Sequence, residues 1–292
     1  MIAFENKIPD IYHLLCPFGG CWTGITLIKG DGTNYLIDCG GSSECVDGYL
    51  VPALSGIGMT VSDIDYLCIT HTHADHIGGV GRIKELNPQI KYVVSESSAD
   101  KVRDPLKYNK LIRARFPEHS PAPSAGLCGC EPDMIIGDGY TLGSEMRFVF
   151  TPGHDTDSGA WLHIPSRTLI TGDSLQSNGT DVQGIGLYMD LPAYRRSLAV
   201  LQDMNIKNIL CGHHFLPLGY EAFGERAVKE YLDSCASLVD KYADFVKRKH
   251  GEGADSTEIA KALIKEVDGI EPQYLFLPLY TVTEHLKELK NN

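Results

Sequence analysis

Short blocks of apolar and β-branched residues recur from Ile11 to Cys211, separated by glycine, proline, asparagine and aspartate. Residues 11–15, 26–29 and 33–38 are too short for helices and alternate enough to predict strands. Gly30-Asp31-Gly32 reads as the turn between the last two. Phe18 to Gly24 reads as a glycine-rich tip carrying aromatic side chains. Further strands are predicted at 66–70, 91–95, 147–150, 160–164, 168–171 and 208–211. Helical spacing appears over 46–54, over 78–86 with Asn87-Pro88 as its stop, and over 192–204. Strands interleaved with helices in this way predict an α/β fold. Residues 103–140 break the rhythm: a helical start gives way to a long irregular loop rich in proline and glycine. Such loops often form lids or substrate walls.

After Gly219 the pattern changes again. Residues 221–250 are charged, with Val228, Tyr231, Leu232, Cys235, Leu238 and Tyr242 at helical spacing. Shorter helices follow at 256–267 and 281–289. The expected organisation is a main domain over 1–219 and a C-terminal helical extension over 220–292, whose helices offer a surface for a homodimer.

Composition narrows the function classes. A chain of 292 residues with 43% hydrophobic and 22% charged positions is that of a soluble globular protein. The opening residues carry Glu5, Lys7 and Asp10 and lack a long apolar run, so neither a secretory signal nor a membrane span is expected. Nine scattered cysteines point to free thiols in a reducing, cytoplasmic setting. Cys128 and Cys130 lack partners at zinc-ribbon spacing and read as two ordinary thiols. A net charge of −12 disfavours a nucleic-acid partner and leaves a small molecule as the expected one.

The densest chemistry lies in Thr70-His71-Thr72-His73-Ala74-Asp75-His76, where four potential ligands occupy six positions after a predicted strand. In an extended segment His71, His73 and Asp75 leave the backbone on one side, and His76 joins them as the chain turns. Imidazole and carboxylate at this density suit zinc or a similar first-row ion. His154, Asp173 and His213 each follow a glycine at the end of a predicted strand, where a sharp turn lets a side chain reach a sheet edge. His214 neighbours His213 in an extended segment and must face the other way. It is a candidate for the substrate pocket, together with Trp22 at the tip and Tyr188.

The motifs Thr70-His71-Thr72-His73-Ala74-Asp75-His76, Thr151-Pro152-Gly153-His154, Thr171-Gly172-Asp173 and Cys211-Gly212-His213, in that order, resemble the metallo-β-lactamase-fold superfamily. The resemblance runs from about Tyr12 to Gly219. It implies an αββα four-layer sandwich with two divalent metals at one edge. His71, His73 and His154 would hold the first ion, Asp75, His76 and His213 the second, and Asp173 would bridge them. Asp38 matches a position that supports the metal loop without binding metal.

Two ions roughly 3.5 Å apart suit a bridging hydroxide as nucleophile, with Asp75 as the catalytic group that orients it and accepts its proton. Zinc is the expected ion, and iron and manganese suit the same donors. The leading expectation is a binuclear hydrolase of a small ester, thioester or lactone, in the glyoxalase II and lactonase-like branch. Asp173 separates it from the true β-lactamases, which generally lack the bridging aspartate. Gly212-His213-His214-Phe215 departs from the Gly-His-Glu-Tyr typical of glyoxalase II, which argues against a glutathione thioester. The alternatives are a phosphodiesterase or nuclease of the same fold, and a mononuclear iron persulfide-dioxygenase-like oxidoreductase.

Overall fold

The computed structural model describes residues 2–124 and 126–291. Its strands form two sheets, one of seven and one of six, each with its strands in sequential order. The first holds β1 (Glu5–Ile8), β2 (Ile11–Phe18), β3 (Cys21–Lys29), β4 (Asn34–Ile37), β5 (Tyr66–Cys68), β6 (Lys91–Ser95) and β7 (Met134–Ile136). Strands β1 to β4 pair antiparallel through short turns. From β4 to β7 the pairing is parallel, which requires crossovers. These are α1 (Ser43–Cys45), continuing through a π turn (Val46–Leu50) into α2 (Val51–Gly56); α3 (Ala74–Ile77) with α4 (Val80–Leu86); and α5 (Ala99–Arg103) with α6 (Pro105–Ala114). The second sheet holds β8 (Thr141–Leu142), β9 (Met146–Phe150), β10 (Gly159–His163), β11 (Thr168–Ile170), β12 (Asn208–Phe215) and β13 (Gly219–Phe223). The remaining helices are α7 (Leu191–Asp203), α8 (Glu225–Gly251), α9 (Ser256–Glu266) and α10 (Phe276–Asn291).

The chain divides into two compact units, Met1–Ile112 with Pro123–Phe150 and Gly159–Pro165, and Arg113–Ala122 with Thr151–Ser158 and Ser166–Asn292. The expected boundary at 219 is therefore not where the chain parts. The C-terminal helices belong to one unit with β11, β12, β13 and α7, because α8 packs on α7, β12 and β13.

In the first unit the core lies between the sheet and its crossover helices, with Ile25, Leu27, Leu36, Leu50, Leu54 and Leu67 fully buried. Trp161 of β10, also fully buried, donates its indole N–H to the Ile69 carbonyl at 3.1 Å. Gly159 N–H donates to the Thr70 carbonyl at 2.9 Å. The β8–β10 strands are thereby tied to the chain leaving β5, one residue before His71.

His13 of β2 is buried and faces Thr26 Oγ1 at 3.0 Å. Burial, with nearby Lys7 adding to it, pulls its imidazole down to about 4. An unfolded chain takes this proton near pH 6.5, so the folded state binds fewer protons in between. The stability contributed is whole above about pH 6.5 and declines as pH falls toward 4. Urea midpoints measured across that window should therefore fall less steeply for His13→Gln than for the wild type; equal slopes would remove His13 from the acid response.

Several expectations on elements are corrected. The tip at Phe18 to Gly24 is mostly strand: Phe18 pairs with Cys21 and Pro17 with Trp22, and the turn is Gly19-Gly20, both at positive φ. Within the expected irregular loop lies β7, a three-residue strand added parallel to β6. Helix α8 begins at Glu225 because Gly219–Phe223 pairs with β12. Its buried face uses Val239 in place of the expected Leu238. The cysteines are free thiols, with Cys128 exposed and Cys130 partly covered by the core. Among the described residues no helix is long and apolar enough to cross a membrane.

Candidate metal centre

In the first unit the chain bends at Thr70 after β5, and His73, itself extended, is the N-cap of α3. Asp75 and His76 thus lie in a helical turn, so the extended alternation expected to reach Asp75 stops at His73. The turn still gathers the four side chains. The His71 ring lies 4.6 Å from that of His73 and 4.1 Å from that of His76, centroid to centroid. Asp75 Oδ2 stands 3.5 Å from His76 Nε2. His71 and His76 are buried, whereas His73 and Asp75 are partly open.

Asp38 organises this loop. Its carboxylate accepts the Thr70 N–H at 2.9 Å, the Thr70 hydroxyl at 2.7 Å and His76 Nδ1–H at 2.7 Å. Its backbone is left-handed, φ 61°, a conformation that aspartate tolerates better than most residues. A carboxylate can only accept, so His76 carries its proton on Nδ1 and presents Nε2 as a lone-pair donor. Thr70 Oγ1, having given its proton to Asp38, accepts from His71 Nδ1 at 3.1 Å, which sets the same tautomer there. Gly78 lets α3 come this close: a Cβ at that position would lie 2.0 Å from the Gly41 carbonyl. Thr23 of β3 donates its hydroxyl to Asp75 Oδ2 at 3.0 Å.

In the second unit, Asp173 follows β11, and its Oδ2 lies 3.5 Å from His154 Nε2 and 3.4 Å from His213 Nε2. All three residues are buried. His154 donates Nδ1–H to the Leu187 carbonyl at 3.0 Å, so it too presents Nε2. Gly153 takes φ 140° and lies against α7, where a Cβ would meet the Tyr194 backbone at 2.3 Å. His213 sits on β12 with its side chain buried, and His214 next to it is exposed, the opposite facing that an extended segment imposes.

The donor set fits divalent metal. With Nδ1 protonated, Nε2 of His76 and of His154 is an acceptor facing a carboxylate oxygen at 3.5 Å. Acceptors placed against each other repel, and a shared cation turns that repulsion into ligation.

The expected substrate contacts divide. Trp22 is half-exposed beside the β2–β3 turn, and His214 is exposed. Tyr188 is a correction: it is 1% exposed, stacks on Tyr194 at 4.8 Å and hydrogen-bonds His285 through its hydroxyl. Its place is in the interior of the second unit, because α10 covers it. Tyr194, on which Tyr188 stacks, is likewise buried and accepts the Gln176 N–H at 3.0 Å. Sequence reasoning missed Thr23, whose contact with Asp75 spans 52 positions of the chain.

A family model described as the Metallo-beta-lactamase superfamily matches residues 23–213. Beta-lactamase-like protein 2 homolog of Caenorhabditis elegans is 29% identical over 194 residues, covering 62% of this chain and 56% of that protein. The homolog of the same description from Drosophila melanogaster is 26% identical over 270 residues, 91% of this chain and 81% of that protein. The chain thus spans little more than half the length of the nematode relative. A metallo-beta-lactamase family protein from Thermus thermophilus shares the fold, with a TM-score of 0.76 and 18% identity over 98% of this chain and 95% of that one.

Proposed function

Because the chain belongs to the metallo-beta-lactamase superfamily, we propose that it is a binuclear metal-dependent hydrolase of a small ester, thioester or lactone. The observation that carries the reading is the tautomer control just described: His71, His76 and His154 each have Nδ1 committed to an acceptor and Nε2 turned to the ligand side. In this proposal His71, His73 and His154 would hold one ion, Asp75, His76 and His213 a second, and Asp173 would serve both. When bound, such ions make a water nucleophilic near neutral pH and polarise the acyl oxygen.

The chain's own residues do the rest. Asp75, kept partly open and oriented by the Thr23 hydroxyl, accepts the proton of the attacking water. Asp38 and the Leu187 carbonyl hold their imidazoles in the ligating tautomer. Asp173 brings negative charge between His154 and His213, which offsets the charge of the ions. Trp22 and His214, both exposed, contact the acyl substrate.

The purified protein should contain about two zinc ions per chain, the complement of a bridged two-metal centre, and should hydrolyse members of an ester, thioester and lactone panel. Chelation should abolish the activity, and added zinc should restore it. Full zinc occupancy without turnover of any acyl substrate overturns the proposal. Cleavage of a generic phosphodiester in preference to the acyl panel moves the reading to the nuclease branch.

A further inference from the structure

We propose that Gln176 is a positioning residue that holds the ligands His154 and Asp173 in register with each other. It is fully buried in the loop that leads from Asp173 to α7. Its side-chain N–H donates to the Asp173 carbonyl at 2.8 Å. Its side-chain oxygen accepts the Leu187 N–H at 3.0 Å. The Leu187 carbonyl in turn accepts from His154 Nδ1 at 3.0 Å. One amide therefore reaches the backbone of one ligand directly and the ring of the other through a single residue.

Its surroundings fix it in place. Gln176 N–H donates to the Tyr194 hydroxyl at 3.0 Å, which ties it to α7. On the far side Thr281 of α10 accepts the Tyr188 N–H at 3.2 Å and donates to the Gly186 carbonyl at 2.8 Å. The residues flanking Leu187 are thereby pinned to the C-terminal helix. Tyr242 of α8 adds a third anchor, accepting the Gly186 N–H at 3.2 Å. A shift of this loop moves the Leu187 carbonyl, and the His154 ring must follow or lose its tautomer partner. Gln176 couples that movement to Asp173. The C-terminal helices thus act on the ligands by holding the loop that carries Leu187, and Gln176 is where the two ligand supports meet.

A merely structural glutamine would lower stability and leave the metal site alone. Asn87 provides the comparison. It is a buried amide at the end of α4 and donates to the Val61 carbonyl at 3.0 Å and to the Ile64 carbonyl at 2.8 Å. Neither bond leads to His154 or Asp173.

The proposal rests on the metal reading above, and the experiment separates the two. Zinc affinity is measured by chelator competition, and the visible spectrum is recorded after cobalt substitution, on the whole chain as wild type, Gln176→Met and Asn87→Ala. Gln176→Met keeps the length and loses both bonds. It should weaken zinc binding by about 10- to 100-fold, the usual effect of removing a ligand's support, and shift the cobalt bands. Asn87→Ala should lose thermal stability to a similar degree, with zinc affinity and cobalt bands unchanged. Should Gln176→Met not fold, Gln176→Glu takes its place: it keeps an acceptor for Leu187 and loses the donor to Asp173. Wild type that binds no zinc overturns the metal reading and this proposal together. Wild type with full occupancy and a Gln176 variant of equal affinity and identical bands overturns this proposal alone.

Discussion

Asp75→Asn should lower kcat for the acyl substrate by about 10²- to 10⁴-fold, the range attributed to a positioned general base, while the fold is kept. Asparagine preserves the volume and can still accept the Thr23 hydroxyl, which bonds Asp75 Oδ2 at 3.0 Å. It cannot take up a proton at neutral pH. The side chain is 13% exposed, enough for contact with a water in the site. Because Asp75 is also a ligand in the proposed scheme, the measurement must separate two losses. Steady-state kinetics at rising zinc concentration does so. A deficit that persists at full zinc occupancy assigns the proton transfer to Asp75. Activity that returns to the wild-type level with excess zinc leaves Asp75 only the holding of metal.

The second large effect concerns stability. Trp161→Ala should destabilise the chain by about 3–5 kcal/mol, the range for truncating a large buried aromatic side chain. Trp161 is fully buried, packs edge-on against Phe148 with ring centroids 5.3 Å apart, and donates to the Ile69 carbonyl. Its loss opens a cavity and strips a buried carbonyl of its donor. Trp161→Phe fills most of the volume and forfeits the hydrogen bond, a loss of about 1 kcal/mol by the usual worth of such bonds. Denaturant unfolding of both variants checks the order. Similar midpoints for Ala and Phe would show that the cavity is filled by relaxation and that packing at Trp161 is not what holds β10 to β5.

The histidine loop was legible because its chemistry is local. His71, His73, Asp75 and His76 lie within one strand exit and one helical turn, so their neighbourhood follows from spacing alone. Asp38 was legible in part: its match to a motif position marked it as support for the loop. The reach of its carboxylate to both Thr70 and His76 needed the fold. Thr23 and Gln176 carried no signal. Thr23 meets Asp75 across 52 positions, and Gln176 meets Leu187 across 11 as well as Asp173 across three; a hydroxyl or an amide is common enough that only contact gives it meaning. Tyr188 shows the converse. It stands near the late ligands in the chain, yet side-chain contacts with Tyr194 and His285 hold it in the interior, because sequence proximity says nothing about which face a side chain occupies.

The amino-acid sequence by itself determined the α/β pattern, the candidate donor types and the glycines at the turns, since each depends on residue type and on spacing over a few positions. The tertiary structure alone decided the tautomers, the strand β7, and the single unit that joins the C-terminal helices to β11–β13. It also decided that the loop after Asp173 is pinned by Thr281 and Tyr242. The physical reason is the same in each case. Hydrogen bonds and packing between distant segments depend on how the chain closes on itself, and local pattern does not encode which distant atom a given donor will meet.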